Sequence, residues 1–263
     1  MLIDMSNYRV LLETAKEVIK ETIPCEVVDN IISGNPDAMY SDTLEYFFEA
    51  CDNSWFFIER EDLLEKFDTA FCTRFDFIKG FHACKITDES SYRDHGLRGK
   101  DESLILGLAL ERFSEHISPE KIRAACLEEK IPSWERGVYF FTAFKGALTP
   151  GQNHYLICGS ETLQGIAGGL GLGYRGLLAR QGRSCIIECD IPIRQVQYLY
   201  RDCFWRDFVT CAFQEMSGKA IDKKIKEMVE DWGFSTYGSI PPGQIKGFHY
   251  LKVSKHHLRS PLH

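Results

Sequence analysis

The segment from Arg183 to Ile193 constrains the fold more than any other. Its run SCIIECDIPI is crowded with β-branched and apolar residues and is closed by Pro192, which makes it the clearest strand in the chain. Further extended segments surround it in sequence. Phe77 to Ile86 is a strand candidate, Gly137 to Phe144 is an aromatic strand, and Gly233 to Ser239 and Gln244 to Val253 flank the turn IPPG. Helical segments lie between them: Asp101 to His116, Pro119 to Lys130, one or two short helices over 160–181, Val196 to Met216, and Lys219 to Asp231. SPEK at Ser118 is a helix start with serine at the N-cap and proline at the first helical position.

The first 75 residues read as helical. Tyr8, Leu11, Leu12, Ala15, Val18 and Ile19 recur at helical spacing, with Ser6 or Asn7 as N-cap and Pro24 beyond the end. A second helix is expected from Ser41 toward Cys51 and a third from Glu61 toward Ala70, separated by the turn chemistry of GNPD and CDNS. With no internal repeat and no low-complexity linker, the expectation is an α+β fold. Residues 1–75 form an N-terminal helical extension and residues 76–263 an α+β domain.

Composition narrows the function classes. A chain of 263 residues, 44% hydrophobic, buries an ordinary core, which argues against disorder or a fibrous fold. Apolar runs such as Leu104 to Leu110 fall short of the roughly 18 residues a membrane span needs. The N-terminus MLIDMSNYRVLLET lacks a basic-then-apolar leader, so a cytoplasmic protein with no membrane partner is expected. A formal net charge of −7 argues against a surface that coats nucleic acid. The basic stretch from Lys246 through Lys252, Lys255, His256, His257 and Arg259 reads first as a solvated tail, and second as a lane for a phosphate backbone. Ten cysteines without a CxxC pair, Cys185 and Cys189 among them on one strand face, read as free thiols in a reducing compartment, with no metal site.

Gly171, Gly173 and Gly176 in GLGYRG satisfy the spacing GxGxxG of dinucleotide-binding loops. That loop works only where a strand delivers the chain to a helix N-terminus. Here ETLQGIAGGL precedes it with helical character, so a glycine-rich link between two short helices is expected instead.

Four segments carry the chemistry-bearing residues: FHACKI with His82, GVYFFTAF with Tyr139, NHYLICGSE with Tyr155, Ser160 and Glu161, and GSIPPGQIKG. His82 reads either as a ligand-holding histidine or as one satisfied by a backbone carbonyl on a half-buried strand face. Tyr139 stands in the aromatic run YFF, where core packing competes with a ligand role. With Ser160 as N-cap, Glu161 falls in a first helical turn, where free N–H groups and the helix dipole keep a carboxylate ionised; surface complementation of the dipole is the plainer reading. Tyr155 stands close enough to stack on a ligand beside that carboxylate. His154 is expected to face away if its segment is extended. Glu188, mid-strand in CIIECDI, is either a second candidate or a structural partner for a buried side chain.

In this order, a strand carrying histidine, a helix-leading Gly-Leu, a strand of form G-x-Y-F and a late I-P-P turn, the segments resemble the histidine-tyrosine-glutamate branch of the ADP-ribosyltransferase fold over roughly residues 77–253. The resemblance implies a split mixed or antiparallel sheet with flanking helices, NAD as substrate and no metal. It also implies transfer of ADP-ribose to a protein or nucleic-acid acceptor by a bacterial toxin or defence effector. His82 matches the first-strand histidine and Tyr139 the G-x-Y-F tyrosine; Glu161 and His82 are then the catalytic candidates, and His82, Tyr139, Tyr155 and Ser160 the cofactor-binding ones. The family's late glutamate has no counterpart, because Gly233, Phe234 and Ser235 stand at that strand start, with Glu230 and Asp231 just upstream. Glu161, Glu188 and Glu230 therefore compete for its role. The same residues allow hydrolysis of NAD without transfer, and the missing glutamate allows a silent binding or sensor protein. A toxin of this kind implies an inhibitory antitoxin partner, expected on the helices Tyr8 to Lys20 and Ser41 to Cys51.

Overall fold

Alternation along β2 (Phe77–Ile86) sets the frame of the fold, because successive side chains of a strand leave on opposite faces. The computed structural model describes residues 1–33, 60–129, 136–149, 153–171, 173–221, 223, 227–228 and 232–252. The chain forms two compact units. One takes residues 1–78 and 192–231, and the other takes 79–191 and 232–263, so the division falls within β2.

The first unit is helical. Its short β1 (Leu2–Ile3) pairs in parallel with the start of β2 through Leu2↔Phe77 and Ile3↔Ile78. Helix α1 (Tyr8–Thr22) buries Leu11, Leu12, Ala15, Val18 and Ile19 along one face, as their spacing requires. It is followed by α2 (Cys25–Ser33), α3 (Arg60–Arg74) and, from the later chain segment, α10 (Tyr198–Met216). Helix α10 packs against α1 and α3. Trp205 stacks on Phe71 with centroids 4.2 Å apart and planes within 3°. The Trp205 indole N–H and the Arg201 guanidinium both donate to the Asp68 carboxylate, at 2.9 Å and 2.8 Å. This differs from the boundary expected from sequence, which left α10 with residues 76–263. The aromatic face of α10 finds its partners on α3, distant in sequence, and burial of those rings outweighs chain proximity.

The second unit holds the sheet. Its strands are ordered β5 (Gly233–Ser235), β3 (Tyr139–Phe141), β2, β4 (Arg183–Pro192) and β6 (Ile245–Tyr250). The pairings of β3 with β2 and β5, and of β6 with β4, are antiparallel, with a register shift between Glu188 and Cys189. The molecule is thus a mixed α/β protein with a largely antiparallel six-stranded sheet and flanking helices. Helices α4 (Glu89–His95), α5 (Glu102–Phe113), α6 (Pro119–Glu128), α7 (His154–Cys158), α8 (Glu161–Gly169) and α9 (Gly173–Arg180) complete it. Ile105, Phe113, Ile122, Ile166 and Leu178 from α5, α6, α8 and α9 form a helical core, and Ala83, Phe141, Leu156 and Ile186 form one against the sheet.

Several strands are shorter than expected. Regular β3 covers only Tyr139–Phe141, although its pairing with the β5 segment runs on in register at both ends: Val138 exchanges hydrogen bonds with Thr236, and the Thr142 N–H donates to the Trp232 carbonyl. The expected helix from Ser41, the turns GNPD and CDNS, Glu230 with Asp231, most of Lys219 to Asp231, and the basic tail from Lys255 lie outside the described residues. Among the described residues no helix is long and apolar enough to cross a membrane.

Candidate functional site

Tyr139, Tyr155, His154 and Glu161 meet on one face of the second unit. Tyr139 and Phe141 project from β3 on the face that also carries Phe81 and Ala83, and Tyr155 packs there from α7. The Tyr139 and Tyr155 rings are 6.1 Å apart and within 21° of parallel, and Phe141 meets Tyr155 edge-on. Gly233 on β5 makes room for this arrangement: a Cβ there would collide with the Tyr139 hydroxyl, which lies directly over the strand.

Glu161 comes to this pair through a break in the helix. Helix α7 ends at Gly159, whose φ of 80° suits glycine, and α8 restarts at Glu161 with Ser160 at the N-cap position. The reversal brings His154 back onto Glu161, and the His154 Nε2–H donates to the carboxylate at 2.8 Å. The expectation that His154 faces away is thereby corrected, since its segment is helical rather than extended. A helix stop and a helix start one residue apart, in CGSE, is the signal that would have revealed the pair. The hydrogen bond from His154 is the main reason the Glu161 carboxyl lies below its ordinary pKa. Burial opposes that shift, while the Tyr155 hydroxyl and the charges of His154 and Lys100 reinforce it. Ser160 occupies the cap position without a capping bond from its side chain, and its buried Oγ has no hydrogen-bond partner among the described residues.

His82 belongs to the other face. Phe81 pairs with Phe141, so the His82 ring lies beside Phe140 (centroids 5.8 Å), which in turn stacks on Phe234. Its Nδ1–H donates to the Tyr139 carbonyl at 2.9 Å. Burial lowers the His82 pKa; the bond to that carbonyl opposes the shift and the Lys100 charge adds to it. The ring is therefore neutral near pH 7, protonated on Nδ1 with an acceptor Nε2. His82 thus acts on Tyr139 through the main chain, while its ring stands apart from Tyr155 and Glu161. Lys100, which sequence did not single out, is the cation felt by both His82 and Glu161.

Glu188 does not join this cluster. Glu188 is held between strands by His249 Nε2 at 3.0 Å and Lys79 at 3.3 Å, as a structural partner would be, and Glu230 lies outside the described residues. The I-P-P turn reaches the Gly-Leu segment, where Leu97 and Ile240 form an antiparallel bridge. In GLGYRG, Gly171 at φ 118° follows α8 while Gly173 to Gly176 already lie in α9, so a helix precedes the segment, which does not provide the strand-to-helix geometry of a dinucleotide loop. Among the described residues no cluster of His, Cys, Asp or Glu is able to hold a metal ion. The cluster therefore offers two near-parallel aromatic rings beside an ionised carboxylate, suited to binding a flat, polarisable group and opposing positive charge next to it. No protein-family model matches the chain, and no curated protein or solved structure is significantly similar to it.

Proposed function

We propose that this chain is an NAD-consuming ADP-ribosyltransferase that modifies a macromolecule, working in the cytoplasm as a bacterial toxin or defence effector. The single observation that carries the reading is the Tyr139–Tyr155 pair, 6.1 Å apart and nearly parallel, beside a Glu161 carboxylate held by His154. A flat ring between two others needs about 3.5 Å on each side, so nicotinamide enters between the tyrosines once their faces part to about 7 Å. As the bond from nicotinamide to ribose C1′ breaks, the electron pair leaves with neutral nicotinamide and C1′ gains positive charge. The Glu161 carboxylate opposes that charge and accepts a hydrogen bond from the ribose 2′-hydroxyl. An acceptor nucleophile then bonds to C1′ and loses its proton. His82 serves as a positioning residue that fixes the Tyr139 backbone. An inhibitory protein partner follows from the need to hold such an enzyme inactive in its own cell.

A second reading has its own support. Gly233, with the Tyr139 hydroxyl over it, stands where the family carries its glutamate, which favours a silent member of the fold that binds a nucleotide or a protein. Incubation with isotopically labelled NAD and cell extract separates the two. Transfer of label to protein or nucleic acid, lost in Glu161→Ala with folding intact, supports the enzyme. Free nicotinamide and ADP-ribose without labelled acceptor indicates hydrolysis, and a folded wild-type chain that neither binds nor cleaves NAD would reject the proposal.

A further inference from the structure

The open face of α8 carries a second carboxylate besides Glu161. Thr162, Leu163, Gln164, Ile166 and Ala167 are buried, which leaves Glu161, Gly165, Gly168 and Gly169 on one stripe at least partly open to solvent, with Gly165 a single turn beyond Glu161. Glu129 reaches this stripe from the residue that follows α6, where its N–H closes that helix on the Ala125 carbonyl at 3.1 Å. A Cβ on Gly165 would stand 2.4 Å from Glu129 Oε1 and 2.6 Å from Oε2, so the carboxylate fills the room this glycine leaves. Glycine weakens a helix interior, and here its space is taken by a charged group. Cβ atoms four residues apart on a helix are about 5–6 Å from one another, and each tilts toward the N-terminus. The Glu129 carboxylate therefore sits about one turn from Glu161 on the same stripe. Among the described residues no hydrogen bond or ion pair holds it.

An acceptor must reach ribose C1′ beside Glu161, so the groups along this stripe meet it first. Two carboxylates there, on a chain of formal net charge −7, repel the phosphates of a nucleic acid and attract a cation. We infer that the acceptor is an arginine side chain of a protein, and that Glu129 binds it. A carboxylate takes a guanidinium through two parallel N–H bonds and so fixes the plane of the group. Nicotinamide leaves with the electron pair of its bond to C1′, and one of the bonded guanidinium nitrogens attaches to that carbon. The same nitrogen gives its proton to the Glu129 carboxylate, which passes it to solvent, and the product keeps the guanidinium charge. This assignment rests on the proposed NAD reading and names the acceptor which that reading leaves open.

The test supplies isotopically labelled NAD with an oligoarginine peptide and, separately, with an RNA oligonucleotide, and follows nicotinamide release without either acceptor. Wild type should label the peptide and not the RNA. Glu129→Gln should lower transfer to the peptide on the order of 100-fold, the scale of a lost general base, and leave NAD hydrolysis without peptide within about twofold. Gly165→Ala should lower transfer about tenfold with the fold intact, because its new Cβ meets the far end of the flexible Glu129 side chain and pushes the carboxylate aside. A Glu129 that only supports the structure would change transfer and hydrolysis together, and the unfolding midpoint of each variant checks the fold. Labelled RNA, NAD hydrolysis by wild type with neither acceptor labelled, equal loss of both reactions in folded Glu129→Gln, or unchanged peptide labelling in both variants would each overturn the inference and leave the NAD reading standing. A folded wild type that neither binds nor cleaves NAD would remove that reading, and the arginine assignment with it.

Discussion

His154 donates a hydrogen bond to the Glu161 carboxylate at 2.8 Å across the break between α7 and α8. The bond orients a half-exposed acid and keeps it ionised beside two tyrosine rings. Removal of the carboxylate's charge should therefore reduce activity far more than stability. In Glu161→Gln, kcat for NAD cleavage should fall on the order of 100-fold, comparable to loss of one preorganised electrostatic group, with the unfolding midpoint nearly unchanged.

The partner variant moves a pH limb. Glu161 lies below its ordinary pKa, chiefly because His154 bonds to it. In His154→Ala the carboxylate should protonate at higher pH, so the acidic limb of the kcat profile shifts upward while the activity plateau at neutral pH is reduced only in part. A profile whose acidic limb does not move would show that Glu161 does not set it.

His82 couples stability to pH in the opposite chemical class. Its folded pKa is depressed by burial, so the folded state binds fewer protons than the unfolded chain below about pH 6.5. The stability it supports is complete above the unfolded pKa and is lost as pH falls from there through the folded value. Denaturant titrations at pH 7.5 and 5.5 should show this loss in wild type and a smaller one in His82→Gln. His82→Ala should also cost about 1–3 kcal/mol by leaving the Tyr139 carbonyl without its donor.

In the first unit Asp68 should behave as a part-buried anion held by its partners. Burial raises its pKa, but the hydrogen bonds from Arg201 and Trp205 and the Arg201 charge outweigh that and leave it below the usual carboxylate range. Its contribution is present above the unfolded pKa near 3.9 and disappears as pH falls through the lower folded value. Asp68→Asn should destabilise the protein by about 3 kcal/mol at neutral pH, measured by denaturant unfolding, because Arg201 loses its bidentate partner.

Two glycines separate a site effect from a folding effect. A Cβ at Gly137 would meet the Thr236 main-chain carbonyl, which cannot swing aside, whereas a Cβ at Gly233 would meet the far end of the Tyr139 side chain. Gly137→Ala should lower stability by about 3 kcal/mol or prevent folding. Gly233→Ala should cost about 1 kcal/mol and disturb NAD binding through a displaced Tyr139, so affinity and unfolding midpoint should change in different proportions in the two variants.

Elements whose pattern is local could be read from residue spacing alone. The 3.6-residue spacing of Leu11, Leu12, Ala15, Val18 and Ile19 placed α1, the β-branched run from Arg183 placed β4, and period-two alternation placed β2 with its bounds. Sequence also selected Tyr139, Tyr155 and Glu161, three residues the fold brings together. What it left undecided depends on which distant segments meet. Alternation fixes that His82 and Phe81 point opposite ways, but only the pairing of Phe81 with Phe141 puts Tyr139 on the Phe81 face and His82 on the other. The contact of His154 with Glu161 needed the chain reversal at Gly159. Residue spacing encodes which side chains share a face of one element. Partner choice between elements is settled by burial and hydrogen bonding summed over the folded chain, and this explains why α10, late in the sequence, packs on α1 and α3.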